Sequence, residues 1–477
     1  MVLERAEDVI AGFVKAGPAA ESRAPRAAFR DVFAVPEFRA LWLAQVLSVA
    51  GDQLARVALT VLVFEQTRSA LLAAITYAAS IVPAFIGGVA LGGLADRLPR
   101  RQVMIACDLI RCALVLIMAI SGLPVASLVV LLFAVTLVGA PFTSARAALF
   151  PDVLPGDRFV LGQAVTITTN QLAQVIGFVA GGTLVSFLGT HKSLIVDAGT
   201  FALSALILRL RTRWRPAARG RPQARQRPVA GLVAGARLVF ADSGLRAPMF
   251  FGWLAAFYNA PEGIAVPLAR SLGGGSATVG LVLASEAFGA MAGSIAFSRL
   301  VSPERRLRWI GPLALAACGV LVLFTFRPRL PAALAILTAS GIFACFQLAA
   351  AAAFIRAAPP GRRSQAFGLA QGGMSLGQGV VMVLAGAAAE HLPPAVVVMV
   401  CGLLGAVAAL AIALGRPRGQ QLPGARTARP QQAVSRPAAP RQPAAAPGPA
   451  ARVPPRPVSR ADGPGPAPGA RHRAGDA

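Results

Sequence analysis

Charge is scarce in this chain. Only 14% of its 477 residues are Asp, Glu, Lys or Arg, against about 25% in an ordinary soluble domain, and the mean hydropathy is +0.64. That composition excludes a usual soluble globular fold and places the chain in the membrane class. Histidine is scarcer still. His191 and His391 lie between apolar runs and His472 in the tail, so no clustered constellation of the kind catalysis needs is present, which argues against a membrane enzyme or a non-transporting sensor. The five cysteines, Cys107, Cys112, Cys318, Cys345 and Cys401, all fall in apolar stretches. None has metal-ligand spacing, and an odd count builds no disulfide framework, so they are expected to be small buried residues and no metal site is expected. No G-x-x-x-x-G-K-S/T stretch occurs, so ATP is not expected as the direct energy source. No cleavable leader is expected either: the first 40 residues mix six basic and six acidic side chains, and the first long apolar run follows them.

What is present is apolar length. A membrane-crossing helix needs roughly 20 mostly apolar residues, and lipid leaves no unpaired backbone group unpunished, so each long run must be helical. Twelve runs meet that requirement: 41–64, 70–94, 103–121, 124–146, 160–187, 192–208, 247–269, 277–299, 307–326, 331–355, 364–389 and 394–414. The expected fold is an all-α membrane protein with twelve transmembrane helices and cytoplasmic N and C termini. Orientation follows from the short loops. With the N-terminus inside, the cytoplasmic loops carry Arg97, Arg100, Arg101, Arg146, Arg158, Arg299, Arg305, Arg306, Arg308, Arg356, Arg362 and Arg363, whereas the opposite loops carry only Arg68, Lys192, Arg270, Arg327 and Arg329. Basic residues favour the cytoplasmic side.

The formal net charge of +26 resembles a nucleic-acid signal, but its placement excludes one. Eleven of the 46 basic residues follow Leu414, ten lie between Arg209 and Arg246, and only Arg56 and Arg111 sit deep in apolar runs. The excess coats one side of a membrane. The Arg-rich stretch 209–246 is a cytoplasmic linker separating two six-helix halves, 41–208 and 247–414, behind a cytoplasmic segment 1–40. Residues 415–477, with 14 prolines, 11 arginines and two acids, cannot build a core and are expected to be a disordered cytoplasmic tail, either without specific role or touching anionic lipid heads. Leu154-Pro155-Gly156-Asp157-Arg158 before Gly162 matches Pro359-Pro360-Gly361-Arg362-Arg363 before Gly368. Two related six-helix halves with a site between them near the midplane form a transporter plan.

Between the second and third runs stands Gly92-Gly93-Leu94-Ala95-Asp96-Arg97-Leu98-Pro99-Arg100-Arg101. It resembles the loop G-x-L-a-D-R-x-G-R-R/K of the major facilitator superfamily, with Pro99 in place of the usual glycine. Gly51-Asp52-Gln53, Cys107-Asp108-Leu109-Ile110-Arg111, Ala145-Arg146 and Pro151-Asp152 resemble the branch of that superfamily holding the enterobactin exporter and many drug-efflux permeases. The resemblance covers about residues 35–414. It implies that Gly92, Asp96, Arg97, Arg100 and Arg101 form a cytoplasmic latch between the halves rather than a substrate site. The matching place in the second half, Pro303-Glu304-Arg305-Arg306, lacks the aspartate, so the two gates are not expected to be equivalent.

Polar groups inside the runs are costly and usually face a cavity or one another. Gln45, Ser48, Asp52 and Arg56 recur at helical spacing on one face, either lining a cavity or holding an Asp52–Arg56 ion pair one turn apart. Asp108 and Arg111 form a similar pair, structural, gating or in contact with substrate. Thr166, Asn170 and Gln174 continue into Gly177 and Gly181: the glycines are expected to seat a neighbouring helix, and the polar end to pack or line a cavity. This stripe is similar to the glycine-bearing fifth helix of antiporters of the superfamily, without its proline. Tyr258, Asn259 and Glu262 lie beside Pro261 and Pro267, which can break the helix and free carbonyls toward a cavity. Glu286 is alone in an apolar run, with Gly289 and Gly293 on its face. Burial favours a neutral carboxyl, so Asp52, Glu262 and Glu286 are the candidates for carrying a coupled proton, or else are structural. Asp197 is expected at the start of the sixth helix near the outer surface. Gln371, Ser375 and Gln378 share a face that can line the cavity from the second half.

The expected activity is secondary transport without a cofactor, driven by the proton gradient. A small amphipathic molecule would leave through a largely apolar cavity by alternating access in the inner membrane of a bacterium. A uniporter or importer of a metabolite on the same fold is the alternative.

Overall fold

The computed structural model describes residues 29–91, 98–215, 228–359 and 362–415. The loop residues Gly92, Asp96 and Arg97, most of the first 40 residues and the tail after Gly415 lie outside them. The described residues are helical, with no strand among them.

The first half opens with the short α1 (Phe29–Phe33) and the long α2 (Pro36–Thr67), then α3 (Ala70–Ala78) and α4 (Val82–Leu91), which split one predicted helix. Pro83 explains the split, because it has no N–H to return to the preceding turn. After α5 (Arg100–Met118) come α6 (Val125–Val153), α7 (Asp157–Leu188) and α8 (Thr190–Arg211). The stretch 209–246 holds a helix of its own, α9 (Pro228–Ala241), whose Gly235 lies against the Gln365 carbonyl.

The predicted run 247–269 is broken into α10 (Ser243–Trp253), α11 (Ala255–Tyr258), α12 (Ala260–Gly263) and α13 (Ala265–Ser271). Pro261 falls in the first turn of α12, where its missing N–H costs nothing. The second half continues with α14 (Ser276–Leu300), α15 (Pro303–Gly319) running into a 3₁₀ turn, α16 (Leu330–Phe343), α17 (Phe346–Ala357), α18 (Arg363–Ala389) and α19 (Pro394–Leu414).

Ten helices or helix pairs among the described residues are long and apolar enough to cross a membrane. Two of the twelve expected spans are not among them. The run 103–121 falls in α5, a helix that carries Arg100, Arg101, Asp108 and Arg111, and the run 247–269 is broken into short pieces. Exposed Phe187, Leu300, Val130 and Leu210 are among the many large apolar side chains on the surface, the pattern of helices that face lipid rather than water.

Small residues set the closest packings. A Cβ on Gly177 would stand 3.0 Å from the Gln53 Cβ, and one on Gly181 3.1 Å from the Leu54 Cα, so α7 lies tightly on α2. One residue on, Gly182 meets Gly280 of α14 from the other half; a Cβ on Gly182 would stand 2.7 Å from the Ser276 oxygen and 2.8 Å from the Gly280 Cα. In the second half Gly289 and Gly293 of α14 seat Thr338 and Ile342 of α16. These contacts let van der Waals packing join helices that hydrophobicity alone cannot join in lipid.

Candidate functional site

A cavity of about 330 Å³ opens among α2, α4, α5 and α6. The α2 face supplies Gln45, Ser48, Asp52 and Arg56; Ser80 precedes α4; Arg111 comes from α5; Leu132, Val135, Thr136, Phe142 and Thr143 come from α6. Its wall therefore carries the charges on the α2 and α5 side and aliphatic, aromatic and hydroxyl groups on the α6 side. All residues lining this cavity belong to the first half, Gln45, Asp52, Arg56 and Arg111 among the expected ones, whereas Asn170, Gln174, Asn259, Glu262, Glu286, Gln371 and Gln378 do not line it. Gln371 is exposed, whereas Ser375 and Gln378 are buried.

Of the two ion pairs expected within single helices, Asp108–Arg111 is present and Asp52–Arg56 is not. Asp52 pairs with Arg111, not with Arg56. Arg111 reaches across from α5, donates to the Ser48 hydroxyl at 2.9 Å as well, and lies 3.8 Å from Asp108 one turn away on its own helix. Its guanidinium carbon also sits 4.0 Å above the Phe201 ring. Arg56 instead donates to the Gln53 side chain at 3.2 Å and to the Ser80 carbonyl at 3.3 Å. Ser80 lies in the break between α3 and α4.

Behind Arg111 stands α8. Its Asp197, Thr200, Phe201 and Ser204 are spaced i, i+3, i+4 and i+7, one face of a helix. Ser204 donates to Asp108 at 2.6 Å. Asp197 is fully buried, two turns inside α8, which begins at Thr190. This corrects its placement at a helix start: Gly189, at φ 78°, ends α7 and allows α8 to begin earlier. Asp197, Ser204 and Ser48 are site neighbours that sequence spacing did not bring together, since they lie on two helices far apart in the chain.

A second polar group bridges the halves. The buried Tyr77 of α3 donates its hydroxyl to Glu262 of α12 at 3.1 Å. Glu262 lies within electrostatic reach of Arg56, and Glu286 within reach of Glu262. Glu286 is buried on α14, its backbone oxygen against Gly341. In the same half Gln347 donates to the Tyr258 hydroxyl at 3.0 Å and to the Gly252 carbonyl at 2.9 Å. Tyr77 and Gln347 had no sequence signal beyond being polar in apolar runs.

At the helix ends the polar contacts are of two kinds. Arg100 contacts Asp152 at 2.5 Å and the Ala148 carbonyl at 2.8 Å, and Arg101 donates to the Arg209 carbonyl; all of these lie within the first half. Arg146, expected in a loop, lies inside α6, which continues to Val153, and its Nε is buried without a partner. Glu37 of α2 holds Arg215 at 2.5 Å and 2.9 Å, and that bond keeps the guanidinium charged more firmly than usual. At the opposite end the contacts cross between halves. Glu390 accepts from the Leu71 N–H at 2.8 Å and the Ser69 hydroxyl at 2.6 Å, so it sits on the N-terminus of α3. These donors hold its carboxyl below the usual range. Arg270 pairs with Glu65 at 3.2 Å beside it. Among the described residues no cluster of His, Cys, Asp and Glu could hold a metal ion.

Two pseudo-equivalent helical halves around polar intramembrane groups define a transporter fold. The sequence profile of the Major Facilitator Superfamily matches residues 41–265 and again 249–457, and the chain belongs to that superfamily. It is a multi-pass membrane transporter family, so its partners are a small-molecule substrate and the bilayer. Among curated relatives, the multidrug efflux pump Tap of Mycolicibacterium fortuitum is 26% identical over 293 residues, 59% of this chain and 71% of that protein. An uncharacterized MFS-type transporter, YfiS of Bacillus subtilis (strain 168), is 28% identical over 169 residues, 35% of this chain and 40% of that protein. A mutant of the nucleoside transporter NupG superposes with a TM-score of 0.64 at 15% identity, covering 79% of this chain and 99% of that one. A POT family transporter in complex with a thioalcohol-conjugated peptide gives 0.64 at 10% identity, covering 80% and 98%. At those identities the likeness establishes the fold alone.

Proposed function

We propose that the chain is a proton-coupled exporter of a small amphipathic molecule, working by alternating access in a bacterial inner membrane with both termini in the cytoplasm. The observation that carries this reading is the hydrogen bond from Tyr77 in one half to Glu262 in the other. A carboxylate accepts a hydrogen bond more strongly when ionised than when neutral. Loading a proton onto Glu262 therefore weakens a tie between the halves, and releasing it tightens that tie. Glu286, within electrostatic reach of Glu262, shares that proton economy, and Asp52 faces the cavity with Arg56.

The cavity wall, charged and polar on the α2 side and mixed aliphatic, aromatic and hydroxylic on the α6 side, suits an amphipathic molecule. Likeness to a multidrug efflux pump favours export. Loop charge puts the Gly182–Gly280 crossing, the Glu390 contact and the Arg270–Glu65 pair on the outside, so the state described here is closed to the outside.

Inverted vesicles from cells expressing the chain test this reading. Under an imposed inward-acidic gradient, a panel of dyes, drugs and siderophores is offered at the cytoplasmic face. At least one is expected to accumulate, and to stop accumulating when the gradient is collapsed. Accumulation at full rate without the gradient would refute proton coupling. Concentration in right-side-out vesicles instead would make the chain an importer.

A further inference from the structure

The proton chemistry of the first half does not end at Asp52. Three carboxyls, Asp52, Asp108 and Asp197, gather around the single cation Arg111, and the two inner ones are fully buried. Their surroundings are unequal. Asp52 holds the Arg111 ion pair, and its side chain is 35% exposed, toward the cavity. Asp108 has the Ser204 hydroxyl at 2.6 Å and Arg111 at 3.8 Å.

Asp197 has neither a cation within ion-pair distance nor a committed donor. Thr200 lies 3.4 Å from one carboxyl oxygen but gives its proton to the Asp197 backbone carbonyl at 2.8 Å, and the other carboxyl oxygen is buried without a partner. The Nε of Arg111, itself 3% exposed, is also buried without a partner. An ionised carboxylate in that position would cost several kcal/mol of desolvation, which the long Thr200 contact and the more distant Arg111 offset only in part. A neutral one avoids that cost.

The charged and titratable groups that face Asp197 are Asp52 from α2 and Arg111 and Cys112 from α5. On α7, also packed against α8, the charged residues are Asp157 and Arg158 at its distant N-terminus. A Cβ on Gly51 would run into the Asp197 carboxyl, so only a glycine at that position lets the acid sit against α2.

The geometry points to Asp197 as a buried proton-holding site, exchanged with the cavity through Asp52 by a swing of Arg111. This rests on the proton-coupled reading above and names a site for it in the first half. In the state described here Asp197 carries the proton and Asp52 is ionised on Arg111. When Arg111 turns inward to Asp197, the proton passes from the Asp197 carboxyl to the Asp52 carboxylate. One O–H breaks, one forms, and the cluster keeps its proton count and its charge. Asp52, the member that reaches the cavity, then exchanges that proton with cavity water. Arg111 is the positioning residue of the step, not a proton carrier.

Infrared difference spectroscopy of the full-length protein in liposomes tests this without a substrate. The wild type minus Asp197→Asn spectrum at pH 7 is expected to contain the C=O band of a protonated carboxyl. Carboxylate bands in its place would overturn the site. The same subtraction in an Asp52→Asn background, where Arg111 is released to Asp197, is expected to contain carboxylate bands. A protonated band unchanged in that background would make Asp197 a merely neutral structural residue and overturn the link to the cavity. If Asp197→Asn does not assemble as a single species, Asp197→Ser replaces it in both subtractions. The two readings fail separately. Gradient-independent transport with a protonated Asp197 removes proton-coupled export and leaves the site, whereas carboxylate bands with gradient-driven transport do the reverse.

Discussion

Substitution of Gly182 by alanine is expected to open the end at which the halves cross. The added methyl would stand 2.7 Å from the Ser276 oxygen and 2.8 Å from the Gly280 Cα, both backbone atoms that no rotamer change can move. Ordinary contact begins near 3.4 Å, so α7 and α14 must separate by more than half an ångström where they now touch. Overpacking of this size costs about 1–3 kcal/mol. The cost falls only on the state in which the two helices cross here, and it does not touch the packing inside either half, where Gly177 and Gly181 hold α7 to α2. A state-specific penalty of about 1–3 kcal/mol shifts the equilibrium between two conformations by about 5- to 150-fold. Spin labels at the exposed positions Lys192 and Arg327, one in each half, read that shift as a distance distribution by double electron–electron resonance. The wild type is expected to populate mainly a short distance and Gly182→Ala mainly a long one, with Gly199→Ala, which meets open space, unchanged. An unaltered distribution in a well-assembled Gly182→Ala protein would refute the idea that this crossing is the closed gate.

Other expectations follow from single contacts. Glu390 is exposed, and its folded-state carboxyl is held below its ordinary value by the Leu71 N–H and the Ser69 hydroxyl; its contribution to closure is present above about pH 4.3 and lost as pH falls through the lowered value, so Glu390→Gln should remove the acid-induced opening seen with the same labels. Tyr77→Phe deletes one hydrogen bond to a carboxylate, worth about 1.5–3 kcal/mol; transport should slow and the label distances shift, while size-exclusion behaviour stays that of wild type. Arg111→Ala strands Asp108 without its cation and should cost about 3–5 kcal/mol, seen as lost thermal stability in detergent, with partial recovery on adding Asp108→Asn.

The long helices were legible because lipid allows no other backbone solution for an apolar run. The proline pair Pro261 and Pro267 announced the broken run, while Pro83 split α3 from α4 where a continuous helix was expected. Helical spacing put Gln45, Ser48, Asp52 and Arg56 on one face, and all four line the cavity. Pair partners were legible within α5, where Asp108 and Arg111 meet as spaced, but not between helices. Spacing within α2 offered Arg56 to Asp52, but Arg111 from α5 takes that place, since nothing in one helix reveals which neighbour crosses it. Asp197 is buried two turns inside α8 rather than near the outer surface for a related reason: α8 starts at Thr190, and its neighbours come from helices far away in the chain. The Tyr77–Glu262 bond joins residues 185 positions apart in sequence, beyond the reach of any periodicity.

A proton on Glu262 is what couples the two halves to the gradient. The most direct measurement compares Glu262→Gln with wild type in inverted vesicles, for a dye that the wild type accumulates. A permanently neutral side chain at this position should abolish gradient-driven accumulation while downhill exchange of the same dye continues at a rate near wild type. Gradient-driven accumulation by Glu262→Gln at the wild-type level would show that Glu262 does not carry the coupled proton.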